Sequence, residues 1–402
     1  MRFSSFSRWY AGGIVFAVAS LLTAVTLHGQ AAPAQAPAGG PTQAQRKLMV
    51  EDVFKNVQLL KGITVGEFMD TMGFFAAAVG SNCVHCHTDA SLQRWEAFAE
   101  DVPRKRRARQ MINLMRGINT NYFGGAQVIT CNSCHKGDIT PSPIPSLLTQ
   151  YGLPVEDPNI VEIVADPGPS PTATELLDKY IAALGGQQRL AAITSVVGKG
   201  TYLGYDTYEQ QVPWELFATP GRRTTIIHTQ NGDSTYVFDG RRGWTAGVEE
   251  PVTLLELDPG AEIDGAKLDA DLAIPARIKE ALTNWKVGFP PTAIDDKEVR
   301  ILEGTGAGGT RIKLFFDSET GLLTRSLRYT KTIVGTVPTQ IDYSDYKEVN
   351  GVKMPHKVTV TWTGGRSFIE LSALQANVAI PATRFAQPPP AVVKPPAAAV
   401  AR

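Results

Sequence analysis

Cysteine is scarce in this 402-residue chain: Cys83, Cys86, Cys131 and Cys134 are all there is. Four thiols cannot staple a chain of this length as a disulfide scaffold, so each needs its own explanation. Charge is also sparse. Charged residues make up 19% of the chain, and 39 Lys+Arg are balanced by 39 Asp+Glu. That balance excludes the basic surplus expected of a nucleic-acid binder. The 37 Gly and 27 Pro show no collagen period. Hydrophobic residues, at 43%, are too abundant for a disordered chain and sufficient for a packed core. Length alone sets two domains as the starting expectation.

Long apolar runs are missing except for one. Ala11 to Leu27 is an uncharged, mostly apolar stretch of 17 residues behind Arg2 and Arg8. Small residues follow, Gly29-Gln30-Ala31-Ala32-Pro33-Ala34. A basic start, an apolar middle and a small-residue zone form the layout of a secretory signal. The run is also at the short end for a membrane anchor. Residues 1–34 are therefore expected to be a signal peptide or a tether, and the protein to be exported to the periplasm. No cysteine follows the run, which argues against a lipid anchor.

Eight prolines fall between Pro141 and Pro171. Proline fixes its own φ and disfavours helix in the residue before it, so 141–171 reads as an extended linker. It separates a helix-like segment, 45–140, which holds every cysteine, from a strand-rich segment, 172–386. The Pro/Ala-rich end, 387–402, reads as a disordered tail.

The four thiols fall into two identical patterns. Cys83-Val84-His85-Cys86-His87 and Cys131-Asn132-Ser133-Cys134-His135 are both C-x-x-C-H. This is the attachment signature of c-type haem. Two thiols three positions apart can form thioethers to one porphyrin, and the next residue offers its imidazole to the iron. Four thiolates around zinc would not explain the histidine after each second cysteine. A thioredoxin-like site needs a neighbouring strand–helix unit. Disulfides between such close neighbours would restrain little chain. Two covalent haem c groups are the expected cofactors, held by Cys83, Cys86, Cys131 and Cys134, with His87 and His135 as proximal ligands.

The sixth ligands are less constrained. Phe68, Met69, Met72, Phe75, Ala76 and Val79 recur at helical spacing over 65–80, with Gly80 ending the helix. Met69 and Met72 share a face, and either could serve the first iron or simply fill the core. A second helix is expected from about Pro103 to Ile118. There Met111 and Met115 share a face, and for the second iron the pattern leaves both open, together with a distant histidine. His85 is a further candidate ligand. Arg104, Lys105, Arg106, Arg107 and Arg109 open that helix, where cations oppose the helix dipole. They suit haem propionates, an acidic redox partner or a solvated face.

These residues resemble a known family. Met72, Gly80-Ser81-Asn82 before the first motif, Trp95, Pro103, Arg116, Ile118-Asn119-Thr120-Asn121-Tyr122 and the second motif with Lys136-Gly137 are similar to the cytochrome c subunit of photosynthetic reaction centres. The resemblance covers residues 51–137, about a fifth of the chain. It implies that a methionine eleven residues ahead of the first cysteine caps the iron, which selects Met72. Family members carry four haem motifs and this chain two. The earlier segment that supplies a histidine to the family's last haem is absent here. Met111 is therefore assigned to the second iron, with Met115 behind it. The implied activity is electron transfer between redox partner proteins, including membrane-bound ones, with no catalysed reaction. A five-coordinate iron would instead suit a peroxidase-like enzyme.

The later segment begins with Thr172-Ala173-Thr174-Glu175, a capping box, and a helix stopped by Gly185-Gly186. Strand signals then dominate, with Asn231-Gly232 as a hairpin turn and a helical pattern around Ala276 to Trp285. The expected whole is a helical dihaem cytochrome c domain followed by an α+β domain with a curved antiparallel sheet. That second part resembles the half-barrels of periplasmic lipoprotein carriers, which implies an apolar ligand or a partner on its concave face. Filling of that face by side chains is the simpler expectation. Its two histidines, His228 and His356, come without a nucleophile and read as structural.

Overall fold

The computed structural model describes residues 47–152, 157–164, 169–249 and 251–394. The signal or anchor segment, 1–34, and the end of the tail lie outside the described residues. The described residues form one compact unit. No described helix is long and apolar enough to cross a membrane.

The cysteine-bearing segment is built from α1 (Val50–Val53), α2 (Val65–Val79), α3 (Pro103–Tyr122) and α4 (Cys131–His135), with short 3-10 turns between α2 and α3. Helix α2 starts where Thr64 accepts a hydrogen bond from the Glu67 amide, and it ends at Gly80 in the left-handed region. Helix α3 opens on Pro103, whose missing N–H costs nothing at a first turn. It runs one turn past the expected end at Ile118.

The linker is less extended than its prolines suggest. Leu147–Tyr151 forms α5, and Pro158–Ile160 a 3-10 turn. Between Pro145 and Pro154 no proline intervenes, so a helical turn is free to form there. Residues 157–164 are tied to the sheet described below. The wholly buried Lys313 ammonium donates to the Asn159 and Val161 carbonyls. Tyr329 Oη donates to the Asn159 carbonyl at 2.7 Å, and Asn159 Nδ2 to Gln340 at 2.8 Å.

The remaining helices are α6 (Ala173–Leu184), α7 (Gln187–Ala191), α8 (Ala261–Ala273) and α9 (Ile278–Ala281). The capping box at Thr172 and Glu175 forms as the sequence dictates. The helix expected over 276–285 is shorter. Only Pro275–Ala281 is helical, and Trp285 lies in a strand. The strands are β1 (Val196–Gly204), β2 (Val212–Thr219), β3 (Arg222–Thr229), β4 (Gly232–Phe238), β5 (Gly243–Ala246), β6 (Leu255–Glu256), β7 (Thr283–Lys286), β8 (Thr292–Ile294), β9 (Lys297–Thr305), β10 (Arg311–Asp317), β11 (Leu323–Lys331), β12 (Thr336–Val349), β13 (Val352–Trp362) and β14 (Gly365–Ala376).

They form one antiparallel sheet in the order β6-β5-β4-β3-β2-β1-β14-β13-β12-β11-β10-β9-β7, with β8 also on β9. The sheet must curl. Helix α8 packs on β3 and on β11, six strand intervals apart. In a flat sheet those strands would stand roughly 29 Å apart, against a helix about 10–12 Å wide. A bulge between Lys199 and Gly200 helps the bend, and Gly200 passes so close to the Glu370 carbonyl that a side chain would collide. The concave side is filled. Leu177, Leu184, Leu190, Leu268 and Ile278 from the helices meet Trp214, Leu302, Ile312 and Leu314 from the strands in one core. His356 is buried with Nδ1 3.0 Å from the Met354 carbonyl, and His228 pairs with Asp233 at 2.9 Å.

Candidate haem-binding site

The first motif is a single tight turn. Cys83–His85 is a 3-10 helix, and the Cys83 carbonyl accepts from the amides of Cys86 (3.2 Å) and His87 (3.1 Å). The second motif is helix α4 itself. Thr130 and Ser133 cap it reciprocally, and Lys136 ends it in the left-handed region. All four cysteines are free thiols, with Cys83 and Cys134 exposed and Cys86 and Cys131 half-buried. Burial pushes the Cys86 and Cys131 thiols up, so neither is a spontaneously reactive thiolate. Among the described residues no three His, Cys, Asp or Glu side chains converge as a metal cage.

The histidines suit iron ligation. His135 Nδ1 lies 2.9 Å from the Asp138 carbonyl. A carbonyl only accepts, so Nδ1 carries the proton and Nε2 keeps its lone pair for a metal. His87 sits edge-on to the Phe98 ring, 4.9 Å between centroids. Its Nδ1 is buried without a well-aligned hydrogen-bond partner. Burial, with Lys105 nearby, holds His87 below its usual pKa, against the pull of the Phe98 carbonyl. That carbonyl accepts from Lys105 Nζ at 2.6 Å. A neutral imidazole is the form that binds a metal. The residues present therefore fit a covalently attached haem at each motif.

Of the methionines, Met69 is 52% exposed, while Met72 turns inward against the core that contains Phe74 and Ala78. Met111 is half-buried and lies outside that core. Met115 is buried within it, together with Cys131. His85 faces the Arg104 guanidinium, which also donates to the His85 carbonyl at 3.2 Å.

The basic cluster at the start of α3 is largely engaged at once. Arg106 and Arg109 pair with Asp101, holding its carboxyl below the usual range, and Lys105 reaches the Phe98 and Glu100 carbonyls. These bonds supply the anions and carbonyls that a helix N-terminus full of cations otherwise lacks.

Two positioning features were not singled out as such from sequence. Asn119 is buried and organises the approach to the second motif. Its Nδ2 donates to the Ile129 carbonyl at 2.7 Å, and its Oδ1 accepts from the Val128 (3.2 Å) and Ile129 (2.9 Å) amides. Its presence within the Ile118–Tyr122 string was the available signal. The other is a backbone contact. Gly80, just before the first motif, touches Gly137, just after the second, and the Gly137 amide donates to the Ala78 carbonyl at 2.9 Å. A side chain at Gly80 would strike the Gly137 backbone. The two motifs are thereby brought side by side.

Residues 15–152 match the family model of the photosynthetic reaction centre cytochrome C subunit. The chain is 33% identical over 104 residues to the photosynthetic reaction center cytochrome c subunit of Roseobacter denitrificans, covering 24% of this chain and 27% of that protein. It is 32% identical over 94 residues to the subunit of Thermochromatium tepidum, covering 22% of each. Against that of Rubrivivax gelatinosus, identity is 30% over 124 residues, or 30% of this chain and 32% of the relative. The chain thus spans a third or less of the length of these relatives. Among solved structures, a LolA superfamily protein from Nitrosomonas europaea aligns with 54% of this chain and 98% of its own, at 14% identity and a TM-score of 0.38. A putative outer membrane lipoprotein-sorting protein domain from Vibrio parahaemolyticus aligns with 52% of this chain and 94% of its own, at 10% identity and a TM-score of 0.37.

Proposed function

We propose, taking the reaction-centre cytochrome match of its first third as the premise, that this protein is an exported dihaem c-type cytochrome that passes electrons between partner proteins. The observation that carries the reading is the pair of one-turn C-x-x-C-H motifs, each ending in a histidine suited to a metal. When bound, each haem supplies an iron that alternates between ferric and ferrous. Everything else falls to the chain. Cys83, Cys86, Cys131 and Cys134 hold the macrocycles, and His87 and His135 stand as proximal ligands.

Met72 is the proposed sixth ligand of the first site and Met111 of the second. Both are half-buried, whereas Met115 is committed to protein contacts. Thioether ligation raises the reduction potential and leaves no open position for a substrate. The Gly80–Gly137 contact keeps the motifs close enough for exchange between them. Arg104 beside the first motif is placed to neutralise a propionate. The partners are redox proteins, soluble or membrane-bound, outside the cytoplasm.

Mass measurement of the purified protein, combined with a redox titration, tests this. Two haem masses attached, two titrating components and a thioether-to-iron charge-transfer band are expected. A chain carrying no haem, or a high-spin ferric component, would overturn the six-coordinate electron carrier.

A further inference from the structure

Helix α2 carries Met72, and three of its faces meet different surroundings. Successive residues turn by about 100°, so neighbours in sequence mark adjacent stripes. Gly66, Asp70 and Gly73 form one stripe. It lies against Asp258 and Glu262 at one end and the Thr363-Gly364 turn between β13 and β14 at the other. Glu67, Thr71, Phe74 and Ala78 form the next, fully buried beyond Glu67. Phe68, Met72 and Phe75 form the third, and these stay half-buried.

The second stripe is gripped by the turn between β11 and β12. Burial raises the pKa of the Glu67 carboxyl, and the nearby Ile333 backbone opposes that rise. The far end of the Phe74 ring abuts Gly335, where a Cβ would collide with it. Val334 and Val337 are buried in the same core as Phe74, Met115 and the half-buried Met72 and Cys131. The turn is held rigid from within. Thr332 Oγ1 donates to the Gly335 carbonyl at 2.9 Å and accepts from the Val334 and Gly335 amides. Gln127, in the loop leading to the second motif, donates to the Thr332 carbonyl at 3.2 Å. The first stripe adds a second grip, since Thr64 at the start of α2 donates to Asp258.

We propose that the β11–β12 turn, Thr332 to Val337, is a positioning element of the haem-binding core: it fixes the rotation of α2 and so sets where the Met72 thioether stands. The large sheet is then a working part of the cytochrome. The inference rests on the dihaem reading above. A helix gripped on two stripes presents its third at one angle, and a ligand misplaced by about 1 Å is a different ligand. Val334, Gly335 and Val337 touch no iron. They act through Phe74 and the α2 backbone.

The test uses the full-length haem-loaded protein. Gly335→Ala pushes Phe74 away, and Val334→Ala leaves a cavity at the same place. Ile312→Ala, in the wholly buried core of the sheet, controls for loss of packing alone. Both turn variants are expected to retain two haem masses but to lose about half of the thioether-to-iron band, because one of two sites is affected. One component of the titration moves to lower potential. Ile312→Ala lowers stability and leaves band and titration unchanged, and the conservative Val334→Ile, which leaves no cavity, keeps both. If Gly335→Ala does not fold, Val334→Ala decides. Turn variants that match Ile312→Ala in spectrum and titration would overturn the proposal while the dihaem reading stands. A parent protein without attached haem would overturn both.

Discussion

Asn119 shows how much can rest on one amide. Three part-buried hydrogen bonds to its side chain shape the loop into α4. Asn119→Ala removes them; the Val128 amide keeps the Ala126 carbonyl at 2.9 Å while the Ile129 amide loses its partner, so a loss of about 1–3 kcal/mol is expected in urea unfolding of the holoprotein. A loss under half a kilocalorie would show that water replaces the amide. The methionines make a second residue-scale prediction. Met72→Ala should lower the potential of one haem and Met111→Ala that of the other, with Met115→Ala costing stability and leaving both potentials in place. A titration in which Met115→Ala moves the second component, and Met111→Ala does not, reverses that assignment. The cysteines and their histidines stand out in the sequence because each proposed attachment motif is five consecutive residues. Asn119 was visible only as part of a resembling string, because its partners are set by how the chain folds back ten residues later.

At the scale of elements, local signals held where both ends of an element carry them. Thr64 and Gly80 delimit α2, and Asn231-Gly232 turns β3 into β4. Helix α8 escaped notice because its stripe is weak. Its first turn holds acids, and Asp264 is buried to accept the Gly308 and Thr310 amides instead of facing water. Trp285 misled for the opposite reason: after Ala281 the chain leaves the helix and pairs with β9, a tertiary choice that spacing does not report. The junction of α2 with the second motif is the element contact most open to test. Gly80 sits at φ 61° with no room for a Cβ. Gly80→Ala should cost about 1–3 kcal/mol from backbone strain and displacement of Gly137. It should also slow electron exchange between the two haems, read as a lower interhaem rate in pulse reduction. An unchanged rate would separate the contact from the transfer path.

Across the whole molecule, the cysteine-bearing segment and the sheet meet at a group of carboxylates. Glu262 on α8 is buried beside Asp258 and Asp70, and its pKa is raised to about 7, chiefly by burial and with Arg328 opposing. A carboxyl raised on folding stabilises the folded state below its ordinary pKa, and that contribution is lost as pH rises through the folded value. Stability should therefore fall between about pH 4.5 and 7, by an amount on the order of 3 kcal/mol. Glu262→Gln should flatten the fall, as read from melting temperatures across that window; an equally steep fall in the variant would place the proton elsewhere. This seam was invisible in the sequence, where a proline-rich bridge suggested two bodies. Its partners are brought together only after the sheet has curled: Lys47 pairs with Asp258 across 211 residues.

The same separation imposes a timetable. Chains leave the ribosome from the N-terminal end. The motif cysteines emerge early, yet the turn that completes the core around α2 arrives far later, Gln127 and its partner Thr332 being 205 residues apart. Strand β1 waits too, since its neighbour β14 comes last among the described strands. Until then the core around α2 lacks Val334 and Val337. The architecture thus leaves a built-in delay in which the motif cysteines can be reached before the wall closes behind them.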